Sequence, residues 1–114
     1  MSKRDIRLFL FDIKTSVDAV QSYVEGMSYD DFINDRKTYN AVIREFEIIG
    51  EAVKHLPSDL LSKYNEVEWS DIKDFRNLLI HEYFGVDLEI VWNTVCSDVP
   101  MLKQAIETII TENT

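Results

Sequence analysis

Apolar residues recur three and four positions apart in four long stretches, and the strict alternation that a half-buried strand needs is absent, so the pattern predicts an all-helical chain. Ile6, Leu10, Ile13, Val17, Val20 and Val24 form one inward stripe and predict a helix from about Lys3 to Glu25, ended by Gly26. Ser28 followed by Asp31 resembles a capping box for a short helix over Tyr29 to Ile33. Tyr39, Val42, Ile43, Phe46, Ile49 and Val53 predict a second long helix from about Asp35 to His55, stopped before Pro57. Gly50 falls inside it at a cost of about 1 kcal/mol relative to Ala. The usual reason to accept that cost is the close approach of another helix. Ser58 and Asp59 start a short turn through Lys63.

The third long helix is expected to begin with Ser70 as N-cap and Asp71 in its first turn, and to end at Gly85, where glycine can take the left-handed conformation. Asp87 is expected to cap the last helix, which runs to about Ile110 through Leu88, Val91, Val95, Leu102, Ile106 and Ile109. Pro100 should kink or restart it, with Asp98 as a second cap. Short connections between long amphipathic helices imply an antiparallel four-helix bundle with short extra helices, built as one domain over residues 1–114.

Composition agrees with this picture. The chain has 114 residues, 46% of them hydrophobic, with three Gly and two Pro, which suits a single well-packed core rather than a disordered or fibrous segment. No apolar run approaches the roughly 20 residues needed to span a bilayer, and the charged start leads straight into an amphipathic pattern, so a cytoplasmic protein with no membrane partner is expected. Cys96 is the lone cysteine and reads as a small core residue; with His55 and His81 it offers no zinc-ligand spacing. Neither a metal nor another cofactor is expected.

The formal net charge of −9 changes the functional picture, because phosphate contacts normally dominate nucleic-acid affinity. It is also uneven: residues 1–54 carry eight Lys/Arg against ten Asp/Glu, and residues 55–114 carry four against eleven. RNA binding would need a basic rim from elsewhere, for which Lys3, Arg4, Arg7, Arg36, Lys37 and Arg44 are the candidates. Equally, an acidic surface suits a basic protein partner.

Candidate chemistry lies in the third helix, in Arg76-Asn77-Leu78-Leu79-Ile80-His81-Glu82-Tyr83. An imidazole can remove or return a proton near neutrality, and a guanidinium can hold two oxygens of an anionic phosphorus in its planar fork. At about 100° per residue, Asp74, Asn77 and His81 fall within about 60° of one another. Arg76 lies about 140° from His81 and about 20° from Tyr83. On an ideal helix, Arg76 and His81 of one chain therefore do not converge. They meet if the helix end is distorted, if Arg76 reaches around, or if two copies pack motif helix against motif helix, the solution favoured here. The structural alternative is a snorkelling Arg76 whose stem covers the core while its head reaches solvent or a carboxylate. Arg44, with Glu47 and Glu51, reads as a solvated salt-bridge stripe; His55 reads as a helix-end histidine; Trp69 and Trp92 read as core or interface anchors.

The order Arg, polar residue, three apolar residues, His, any residue, Tyr resembles the signature of HEPN-domain ribonucleases in the HepT toxin branch. The likeness extends through Arg4-Asp5-Ile6, the segment Ala41-Val42-Ile43-Arg44-Glu45-Phe46-Glu47-Ile48-Ile49-Gly50-Glu51-Ala52, Trp69, and Tyr83-Phe84-Gly85-Val86-Asp87 leading into Val91-Trp92. The family implies a homodimeric, metal-independent endoribonuclease toxin with Arg76 and His81 catalytic in a cleft between copies, and Asn77 supporting them. It implies a cognate MNT-type nucleotidyltransferase antitoxin that places AMP on Tyr83. Arg44 lies in the family segment and is a candidate to line the cleft. RNA, not DNA, is the expected substrate, since only RNA carries the internal 2′-hydroxyl nucleophile. Two other readings stay open: a non-catalytic adaptor or substrate of a nucleotidyltransferase, and a purely structural helical dimer.

Overall fold

The computed structural model describes residues 5–81 and 86–113, the side chains of Leu78, Ile80 and His81 excepted. Every regular element among the described residues is helical.

Helix α1 spans Ile6–Tyr23 and starts where the Asp5 carboxylate accepts the Arg7 backbone N–H at 2.9 Å. After it the chain reverses at Gly26, whose φ of +77° suits a residue without Cβ. Helix α2, Tyr29–Ile33, opens with the full capping box: Ser28 Oγ accepts the Asp31 N–H, and the Asp31 carboxylate accepts the Ser28 N–H. Helix α3, Arg36–Lys54, is capped by Asp35 through the Thr38 N–H. A short α4 over Ser58–Leu61 leads to α5, Trp69–His81. Asp87 caps α6, Leu88–Asn93, which passes through a π turn at Thr94–Asp98 into α7, Val99–Glu112.

Three expectations need correction. Ser70 is not the cap of α5, because Trp69 is already helical: Glu68 O accepts the Asp71 N–H at 3.0 Å, and Trp69 Nε1 donates to Tyr64 O at 3.0 Å, which draws the indole inward. Asp98 is not a second cap either. Its backbone is helical (φ −87°, ψ −35°), its side chain makes no capping bond, and the Val99 N–H reaches back five residues to Thr94 O. That widened turn lets the helix absorb Pro100, which has no N–H to donate and whose ring crowds the carbonyl four residues back. Cys96 lies on the outer side of the π turn and is exposed, while Val95 and Val99 face inward. The expected end of the motif helix at Gly85 lies outside the described residues.

Helix α1 packs against α3 and α7, α3 packs against α5, and α2 packs against α3 and α6. Leu10, Ile13, Val17 and Val20 of α1 meet Val42, Phe46, Ile49 and Val53 of α3 and Leu102, Ile106 and Ile109 of α7 in one buried cluster. Trp92 packs on Phe32 with ring centroids 5.1 Å apart, and Trp69 is buried, so both tryptophans serve the core. Asp18 ties α1 to α7, 2.8 Å from Lys14 Nζ and 3.2 Å from Lys103 Nζ. Among the described residues no helix is long and apolar enough to cross a membrane.

Candidate functional site

The crossing of α3 and α5 sets the site. Gly50 is buried there, and a Cβ at that position would run into Cβ and Cγ of Arg76. The close approach expected from a glycine inside a helix is therefore made by the stem of Arg76 itself. Ile72, one turn earlier on α5, brings its carbonyl to the same spot, and Phe75 meets Phe46 edge-on with centroids 5.5 Å apart. The close approach at Gly50 and the Phe46–Phe75 contact together fix where Arg76 leaves its helix.

The guanidinium emerges beside the next residue of α3. Arg76 NH2 lies 2.9 Å from Glu51 Oε2, with the two side chains 27% and 44% exposed. The contact is an ion pair without the alignment of a hydrogen bond, and Nε of Arg76 meets no acceptor among the described residues. NH1 donates to Asn77 Oδ1 at a long 3.4 Å. The other carboxylate oxygen, Glu51 Oε1, lies 3.2 Å from His55 Nε2, and the His55 ring stacks on Phe9 at 4.8 Å and 11°. One carboxylate thus stands between a guanidinium and an imidazole, backed by an aromatic ring from α1.

The snorkelling arrangement weighed for Arg76 is realised: its stem covers the core and its head reaches a carboxylate. Asn77 and Asp74 are exposed on the outer side of α5. His81 is the last residue of α5, five positions after Arg76, and its side chain lies outside the described residues, as does Tyr83 altogether. Arg44 is exposed and pairs with Glu47 at 3.7 Å. It lies on the α3 stripe that leads to Glu51, but Glu51 turns to Arg76 and His55 instead of completing a solvated ladder. Sequence reasoning gave neither Glu51 nor His55 a place beside Arg76. The available signal was Gly50: whatever approaches that glycine must also meet its neighbour. Among the described residues no group of acidic, histidine or cysteine side chains has the arrangement of a metal site.

A guanidinium held at one spot on a helix face can bind two oxygens of a phosphodiester. The family model described as HepT-like ribonuclease matches residues 13–109. The chain belongs to the HepT-like ribonuclease family. Similar proteins agree. An inferred RNase of Methanocaldococcus jannaschii is 44% identical over 110 residues, covering 96% of this chain and 91% of that protein. A second from the same organism is 41% identical over 109 residues, covering 96% and 100%. An inferred ribonuclease HepT of Thermococcus cleftensis is 40% identical over 105 residues, covering 92% and 96%. No solved structure matches the chain. In this HepT-like ribonuclease the Arg76 to His81 segment occupies the C-terminal half of α5, and the Gly50-Glu51 step of α3 lies under its arginine.

Proposed function

We propose that this HepT-like ribonuclease is a metal-independent endoribonuclease toxin of a type VII toxin–antitoxin system. It works in the cytoplasm as a homodimer of antiparallel four-helix bundles, each copy a single domain over residues 1–114, with Arg76 and His81 of both copies around one cleft. The observation that carries this reading is the seating of Arg76 over Gly50, which fixes a cation on the helix that His81 closes.

In the reaction, His81 takes the proton from a ribose 2′-hydroxyl. The 2′-oxygen attacks the adjacent phosphorus, and the bond to the 5′-oxygen breaks, leaving a 2′,3′-cyclic phosphate and a 5′-hydroxyl that takes up a proton. Arg76 stabilises the phosphorane, where charge gathers on the non-bridging oxygens. Asn77, beside Arg76 NH1, supports the guanidinium. Arg44 and the basic residues of the N-terminal half supply the rim that an acidic chain otherwise lacks. Tyr83 is the acceptor of AMP from ATP, transferred with release of pyrophosphate by a cognate MNT-type nucleotidyltransferase. The added phosphate competes for Arg76 and silences the site.

Purified protein incubated with RNA in EDTA tests the assignment. Cleavage that falls at least 100-fold in Arg76→Ala and in His81→Ala supports it; parent-like rates in either variant refute it for that residue. Tyr83→Phe is expected to cleave RNA and to resist silencing by the transferase. A second reading, a non-catalytic adaptor for a nucleotidyltransferase, is favoured by an apolar groove between α3, α5 and α7. Among the described residues its rim carries Glu66, Glu68, Asp71 and Asp98 and no basic residue, which suits a basic partner. Tight transferase binding with no cleavage by the parent protein would establish that reading instead.

A further inference from the structure

We propose that Glu51 is a positioning residue of the ribonuclease site: it holds the Arg76 guanidinium at the place where the phosphate must arrive, and His55 holds Glu51. The inference rests on the catalytic role proposed for Arg76.

Three observations carry it. First, Gly50 and Glu51 are consecutive, so the residue that admits the Arg76 stem and the residue that meets its head belong to one turn of α3. A long flexible side chain is thereby fixed at both ends. Second, the carboxylate faces Arg76 NH2 at 2.9 Å without an aligned hydrogen bond, and Nε has no acceptor among the described residues. Charge holds NH2 without an aligned hydrogen bond, NH1 keeps only its long bond to Asn77 Oδ1, and the buried Nε has no acceptor among the described residues, so no strong directed bond competes with a phosphate for the terminal nitrogens. Third, Glu51 is itself oriented. Its Oε1 lies 3.2 Å from His55 Nε2, and the imidazole is stacked on Phe9. An incidental surface pair has no such backing on two helices.

Misplacing a group that stabilises a transition state by about 1 Å can cost on the order of 100-fold in rate. Since Glu51 carries negative charge beside the expected phosphate, removing it should not weaken RNA binding. The signature of positioning is therefore a loss in kcat at unchanged or lower KM.

The experiment uses full-length protein, one RNA substrate in EDTA, and the variants Glu51→Ala, Glu51→Gln and Arg76→Ala. The proposal expects kcat of Glu51→Ala to fall about 10- to 100-fold with KM within twofold of the parent or below it, and Glu51→Gln to fall between the two. A second arm reads the Arg76 Nε–Hε resonance: its heteronuclear NOE should be high in the parent and collapse in Glu51→Ala, whether or not RNA is present. Parent-like kcat in Glu51→Ala beside an inactive Arg76→Ala overturns the role of Glu51 and leaves the catalytic role of Arg76 standing. A kcat above the parent's makes Glu51 a brake and overturns the proposal. An unchanged Arg76 NOE in Glu51→Ala overturns it as well. Full cleavage by Arg76→Ala removes the site assignment, and with it any site for Glu51 to serve.

Discussion

Gly50 and Arg76 meet backbone to stem, so a single methyl group at position 50 has nowhere to go. Gly50→Ala gains up to about 1 kcal/mol of helix propensity, yet overpacking of this kind costs about 1–3 kcal/mol. The expected outcome is a net loss of stability, read as a lower urea midpoint at unchanged slope. Because the collision involves Arg76 Cβ, adding Arg76→Ala should not relieve it, whereas adding Arg76→Gly should, at a helix-propensity cost of its own of about 1 kcal/mol that the Arg76→Gly single variant measures. At the start of α1, the Arg7 side chain, and behind it the Arg7 backbone N–H, pull the Asp5 carboxyl from its ordinary 3.8 down to about 2. A lowered carboxyl pKa stabilises the fold fully above the unfolded value and loses that contribution as pH falls through the folded one. Thermal melts of parent and Asp5→Asn should thus differ by a constant amount above about pH 4, and the gap should close as pH approaches about 2. Among residues, the sequence showed that something must approach Gly50 and that Arg76 was flanked by apolar positions. It did not show that these two facts are one contact, because the crossing point of two helices depends on every side chain between them.

Helix α5 is anchored at its first residue. Trp69 is buried and its indole N–H donates to Tyr64 O, the partner of a carbonyl in the turn before the helix. Trp69→Phe keeps most of the apolar volume but leaves Tyr64 O with only the long 3.4 Å bond from the Val67 N–H, a loss of one hydrogen bond that costs about 0.5–1.5 kcal/mol. Calorimetry should record the loss, and hydrogen exchange should speed up first in α5. Among the described residues periodicity located the long helices to within a few residues, and the capping signals of Ser28 and Asp87 are both used. It failed where hydrogen bonds move between partners. Pro100 signalled a problem in the last helix, but two remedies fit the same sequence: a break with a new cap, or a wider turn. The wider turn wins because Val95 and Val99 stay buried across it and the Val99 N–H still finds an acceptor in Thr94 O.

At the scale of the whole molecule, charge opposes the substrate. The net −9 is gathered in the half that holds Arg76, and α5 itself carries Asp71 and Asp74 on exposed positions. Asp74→Lys exchanges repulsion for attraction beside the polar stripe that includes Asn77, and is expected to lower KM for RNA several-fold at constant kcat. The effect should fade as salt rises from about 50 to 200 mM, since exposed charges are screened over roughly 10 Å. Steady-state cleavage at several salt concentrations checks both parts. The negative balance was plain in the sequence; the groove rimmed by Glu66, Glu68, Asp71 and Asp98 was not, because it gathers residues from two regions that only folding brings together. The glycine under the arginine has a last consequence, for lineages rather than for one molecule. A chain that gains a side chain at position 50 can no longer seat a long residue at position 76, so the two sites should drift as a pair. Only descendants in which position 76 has become glycine are then free to fill position 50, and a bulky residue there would mark a degenerate copy even where the histidine survives.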